Sequence, residues 1–141
     1  MQEPLDFPSF DRIVLADDSV AIALQPEIPC AAEMLAGAVR GIMAAGVPPE
    51  LIRIIRVPTD RAISNEELLS KLDDGVAERV TVTEHDPTNR EQLSFLGASK
   101  DGNAIYVNRD LCDAEFVLPI GVQGVSQGIH GSWFPAFSDT E

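Results

Sequence analysis

The chain reads as a three-layer α/β domain, a mostly parallel sheet with helices on both faces. Three observations predict this. Strand-like and helix-like segments alternate between residues 20 and 83, the order that right-handed crossovers turn into a parallel sheet. The segment Leu51–Val57 (LIRIIRV) is apolar at five of its seven positions, as a strand covered on both faces must be. The length, 141 residues, makes 1–141 a single domain, able to bury roughly two-thirds of the surface its unfolded chain exposes.

The elements follow in order. Arg12–Ala16 and Val20–Gln25 are β-rich and separated by the turn-forming pair Asp17-Asp18, which predicts a hairpin or two strands of one sheet. Pro29 suits the first turn of a helix, where its missing N–H costs nothing. Ala31, Leu35, Ala38, Val39, Ile42 and Met43 then recur at three- and four-residue steps and make one apolar face. Gly46 supplies the stop and Pro48-Pro49 bar continuation. Ser64-Asn65-Glu66-Glu67 is a capping box opening a helix through Leu68, Leu69 and Leu72 to about Asp74-Gly75. Arg79–Thr83 alternates as a strand does. Leu93–Ala98 and Asn103–Val107 flank Asp101-Gly102, a strong hairpin signal. Asn108–Asp113 forms a short helical turn, and Glu115–Ile120 a last strand whose Pro119 places it at an edge or at its own end.

Composition excludes several functions. Twenty-three acidic residues against ten basic ones leave a net charge of −13. Phosphate backbones and anionic lipid repel such a chain, so neither nucleic acid nor a membrane surface is an expected partner. No apolar run approaches the length of a membrane-spanning helix. The opening MQEPLDFPSFD is acidic and proline-broken, unlike a signal peptide, and a cytoplasmic location is expected. Cys30 and Cys112 lie far apart in apolar settings, which predicts buried structural thiols.

In an open α/β sheet, ligands bind just outside the carboxyl ends of the strands. Candidate residues fall there. Arg61 follows one strand and precedes a helix, and can grip a carboxylate or phosphate bidentately, or simply pair with Asp60 or Glu66. Asp60 shares that corner and can serve proton transfer if burial adapts it, or satisfy local N–H groups. His85, between Glu84 and Asp86, is a ligand-contact candidate or a hydrogen-bonded turn residue. His130 lies among Gly121, Gly124, Gly128 and Gly131, a spacing that fits no dinucleotide or phosphate-loop pattern. Trp133, Phe134 and Phe137 around Pro135 are read as covering the end of the domain's own core.

Three stretches carry a family likeness: Val57–Glu67 (VPTDRAISNEE), Glu84-His85-Asp86, and the run from Leu96-Gly97 to Asn108-Arg109. Together they make the chain resemble the N-terminal domain of the nickel-pincer lactate racemases, in element order over residues 12 to 141 and most specifically between 57 and 121. The resemblance implies a racemase-like α/β domain facing a C-terminal domain absent here, so that the chain is a fragment or truncated relative of a longer two-domain protein. It also implies a nickel-pincer nucleotide attached to a lysine, which takes hydride from a 2-hydroxy acid while two histidines act as acid and base.

The chain departs from that pattern where the chemistry lies. The Gly-Thr-His-Arg segment is Pro58-Thr59-Asp60-Arg61 here, with Asp60 in the place of a histidine. The Asp-x-Thr-Arg-Pro segment is Gln25-Pro26-Glu27-Ile28-Pro29. No lysine follows Lys100, and an amide to a cofactor carboxyl needs an amine, so covalent attachment through this segment is impossible and the cofactor is left unassigned. Two functions follow as expectations. One is a 2-hydroxy-acid racemase or epimerase relative with Asp60 and His130 handling protons and Arg61 and His85 holding substrate. The other is a non-catalytic domain that binds a small carboxylate, a nucleotide or a partner protein.

Overall fold

The computed structural model describes residues 8–60, 62–122 and 137–138. Four strands, β1 (Val20–Leu24), β2 (Ile52–Arg56), β3 (Thr81–Glu84) and β6 (Phe116–Ile120), form one sheet in the order β3-β2-β1-β6. Every pairing is parallel. A separate antiparallel hairpin joins β4 (Leu93–Ala98) to β5 (Ala104–Asn108), with Gly102 in the left-handed region at φ +85° after Asp101. β6 lies at the sheet's edge, where Pro119 withholds no ladder hydrogen bond from an outer neighbour.

Alternation along the central strands sends side chains to two cores. Val20, Ile22 and Leu24 of β1 and Ile52 and Ile54 of β2 face α2 (Ala31–Ala44), whose Leu35, Val39 and Ile42 are wholly buried. Leu68 of α3 (Asn65–Leu69) closes the same side. On the opposite face Ala21, Ala23 and Ile55 meet Leu111 of α5 (Arg109–Asp113) and Phe137. The small β1 residues on that side are what allow α5 and the aromatic ring to approach. The three-layer architecture is therefore present, with α2 and α3 on one face and α5 on the other.

Four local expectations are corrected. The segment predicted as a strand at Arg12–Ala16 begins in α1 (Phe10–Ile13) and continues as a turn. Leu15 N–H donates to Asp18 Oδ2 (2.8 Å) and Asp18 N–H to Leu15 O (3.1 Å), so local partners take the groups a ladder would need. Val14 of that segment is buried in the core with Ile13 packed partly against it, and Leu15 stands 65% exposed. Pro29 lies one residue ahead of the N-cap, Cys30, not inside the helix. The capped helix opens as read, with Ser64 Oγ accepting from Glu67 N–H (3.1 Å), yet α3 stops at Leu69 and a separate turn, α4 (Asp74–Ala77), follows. Ser70 turns its hydroxyl (2.7 Å) and N–H (3.2 Å) back to Glu67 O, which ends the helix, while Leu72 still reaches the core. Finally, both cysteines are exposed free thiols rather than buried ones. Partial burial, then neighbouring Asp113, pushes the Cys112 thiol up.

Candidate functional site at the carboxyl edge of the sheet

Because all four strands run the same way, their carboxyl ends share one rim. In register across it stand Glu84, Arg56, Leu24 and Ile120. The chain adds β2 and β3 on one side of β1, then returns to place β6 on the other. The reversal of strand order thus falls between β1 and β6, the place where such sheets open a ligand crevice.

Three loops meet this rim. The loop after β1 is conformationally strained: Glu27 and Cys30 hold φ of +57° and +55° without being glycine. Each costs about 1–2 kcal/mol, and strain of this kind gathers at functional sites. The same loop is tied to the end of β6 by Gln25 N–H donating to Ile120 O (3.0 Å). The Gln25 carboxamide packs directly over Gly121, where a larger residue would displace it.

The loop after β2 carries Thr59 and Asp60. Asp60 is exposed, and Ala62 N–H donates to Thr59 O (3.0 Å), making a tight turn. Arg61 and His130 lie outside the described residues, so their side chains enter no geometry here. Thr59 Oγ1 in this turn and Thr83 Oγ1 in β3 are buried and have no hydrogen-bond partner among the described residues. An orphaned buried hydroxyl costs roughly 1–3 kcal/mol and calls for an explanation.

His85, the first residue after β3, is only 2% exposed. Its N–H donates to Arg56 O (2.8 Å), while the ring turns inward toward Asn108 and Ser138. The network fixes its tautomer. Asn108 Oδ1 accepts from Asp110 N–H (3.0 Å), so the Asn108 amide group donates to His85 Nδ1 (3.2 Å). Nε2–H is left to donate to Ser138 O at 3.1 Å. We therefore expect nitrogen-correlated NMR to find the neutral ring protonated at Nε2; a ring protonated at Nδ1 would mean that the Asn108 amide is reversed. Both ring nitrogens are engaged inside the protein, so His85 bears on the rim through its backbone.

Sequence reasoning missed two residues of this rim. Arg56 was absorbed into an apolar strand, although a charge at a strand's last position is itself a signal. Thr59 was passed over because nothing in a sequence marks a hydroxyl as unpartnered. A groove of about 960 Å³ runs between α2 and the outer edge of β6 past Met34, Gly37, Gly41 and Pro119, and meets the rim at Ile120 and Gly121.

Among the described residues no three His, Cys, Asp or Glu side chains converge as metal ligands. Among the described residues the polar groups at the rim are hydroxyls, the Arg56 guanidinium and carboxylates, a set that does not fit a soft nickel site. No helix among the described residues is long and apolar enough to cross a membrane.

Fold and rim together define an open parallel α/β domain that presents its polar groups at the strand tips. The chain belongs to the lactate racemase N-terminal domain family, whose model matches residues 1–127. Its fold is similar to that of the lactate racemase apoprotein from Thermoanaerobacterium thermosaccharolyticum, with a TM-score of 0.72 and 15% identity over 98% of this chain. The match spans 35% of that racemase, so the chain covers about a third of its length. No protein of curated function matches the chain.

Proposed function

We propose that this domain holds a small 2-hydroxy carboxylate at the carboxyl rim of its sheet, as the N-terminal half of a racemase- or epimerase-like site completed by a second domain. The observation that carries the reading is the buried, unpartnered Thr59 hydroxyl beside Asp60, in a family whose name is that of a 2-hydroxy-acid racemase. A hydroxyl facing a ligand oxygen recovers the hydrogen bond that it lacks in the free protein. In this reading Arg61 grips the carboxylate, Asp60 and His130 handle the proton at the α-carbon, and His85 supports the rim from below.

A second reading is a non-catalytic relative that binds a carboxylate, or a nucleotide or partner protein, at the same rim. The exposure of Asp60 favours it, since a general base is ordinarily sequestered and tuned.

The experiment is a calorimetric titration with each lactate enantiomer, paired with a racemisation assay, nickel analysis and intact mass. The first reading expects binding and enantiomer interconversion. Binding with no interconversion, no nickel and an unmodified mass selects the second. No lactate binding sinks the 2-hydroxy-acid assignment. Arg61→Ala is expected to weaken binding by about 1.5–3 kcal/mol, the range for hydrogen bonds to charged groups, with little change in thermal stability. Lost stability with unchanged binding would make Arg61 a structural residue.

A further inference from the structure

We propose that Arg56 is the anion anchor of this rim. The inference rests on the carboxylate reading above but names a different residue and can fail separately. Arg56 is the last residue of β2 and only 7% exposed. It points to the same face as Ile52 and Ile54, toward α3. In register it stands beside Leu24, the residue that leads into Gln25-Pro26-Glu27-Ile28-Pro29. A guanidinium here lies one strand away from that loop, at the same height on the sheet.

Its charge is only partly compensated. Nη1 donates to Asn65 Oδ1 at 2.7 Å, a neutral acceptor. Nε lies 3.7 Å from Glu84 Oε1, too far for a hydrogen bond, and the Glu84 side chain is itself 57% exposed. On its other side the rim is apolar, formed by Leu24 and Ile120. A buried guanidinium ordinarily holds a carboxylate in a bidentate grip; this one has five N–H donors and, among the described residues, a single hydrogen bond to an oxygen. An anion settling at the rim supplies the missing partner. It would meet Arg56 from the side of the loop that carries Thr59 and Asp60. The ligand class is a small carboxylate or phosphate, the two oxyanions that match the guanidinium fork.

The test uses Arg56→Gln and Asn65→Asp in the full chain, with lactate and inorganic phosphate as probes at constant ionic strength. Asn65→Asp gives the guanidinium a carboxylate from within the chain. It is expected to raise the midpoint of thermal unfolding without ligand and to weaken probe binding about ten-fold or more. Arg56→Gln is expected to abolish the shift in unfolding temperature that either probe produces in the unmodified protein. If Arg56→Gln does not fold, Asn65→Asp carries the test alone. Unaltered lactate binding in Asn65→Asp overturns the anchor and leaves the carboxylate reading standing. Phosphate binding that depends on Arg56, without lactate binding, upholds the anchor and removes the 2-hydroxy-acid assignment. If neither probe stabilises the unmodified protein, both are overturned.

Discussion

Phe137→Ala is expected to lower the free energy of unfolding by about 3–5 kcal/mol, the range for truncating a buried aromatic. Phe137 is 2% exposed and fills the smaller core between β1, β2 and α5. Its partners Ala21 and Ala23 have no side-chain reach with which to close the space it would leave. The residue is also held through its backbone. Phe137 O accepts from Asn108 N–H (2.9 Å), and the next residue, Ser138, pairs with Val107 and accepts from His85 Nε2–H at 3.1 Å. Losing the ring therefore loosens three attachments at once. Urea unfolding should show a lower midpoint at unchanged slope, and amide exchange at Asn108 should quicken in step. A loss below about 1 kcal/mol, the ordinary effect of a point mutation, would mean that α5 seals this face without the aromatic ring.

Leu35→Ala is the second large effect, at about 2–5 kcal/mol. Leu35 is fully buried in the second turn of α2, against the β1 and β2 side chains of the larger core. Its neighbour Met34 is 45% exposed on the groove side of the same helix, so Met34→Ala should stay within about 0.5 kcal/mol of the unmodified protein. The pair separates burial from helix propensity, because both residues are strong helix formers replaced by a better one. Equal losses from the two would contradict the orientation of α2. Leu35 and Phe137 lie on opposite faces of the sheet, so their double replacement should be additive within roughly 0.5 kcal/mol.

How far the fold could be read depended on the range of the interactions involved. The α2 stripe, the Ser64 cap and the Asp101-Gly102 turn are each set by residues a few places apart, and all stand as read. Arg12–Ala16 misled because its β-branched content says nothing of the Asp18 carboxylate that captures Leu15 N–H. The helix after Ser64 is shorter than its leucine pattern suggests because Ser70, an unremarkable residue in that pattern, turns back on Glu67 O. The thiols were misjudged because apolar neighbours in sequence do not guarantee burial in space.

The candidate site was legible in outline only. Asp60 could be placed at a strand's carboxyl end from the alternation of elements. The inward turn of His85 could not, because Asn108 and Ser138 lie 23 and 53 residues away.

By itself the sequence determined the parallel α/β class, the helix and turn boundaries governed by caps and glycines, and the absence of an amine after Lys100. These depend on periodicity, local hydrogen bonding and composition, which a linear chain displays directly. Only the tertiary structure decided which charge is buried, which hydroxyl lacks a partner and which strand tips share a rim. Those properties arise when β1, β2, β3 and β6 are brought into register, and desolvation, which makes Arg56 and Thr59 consequential, exists only once the layers have closed around them.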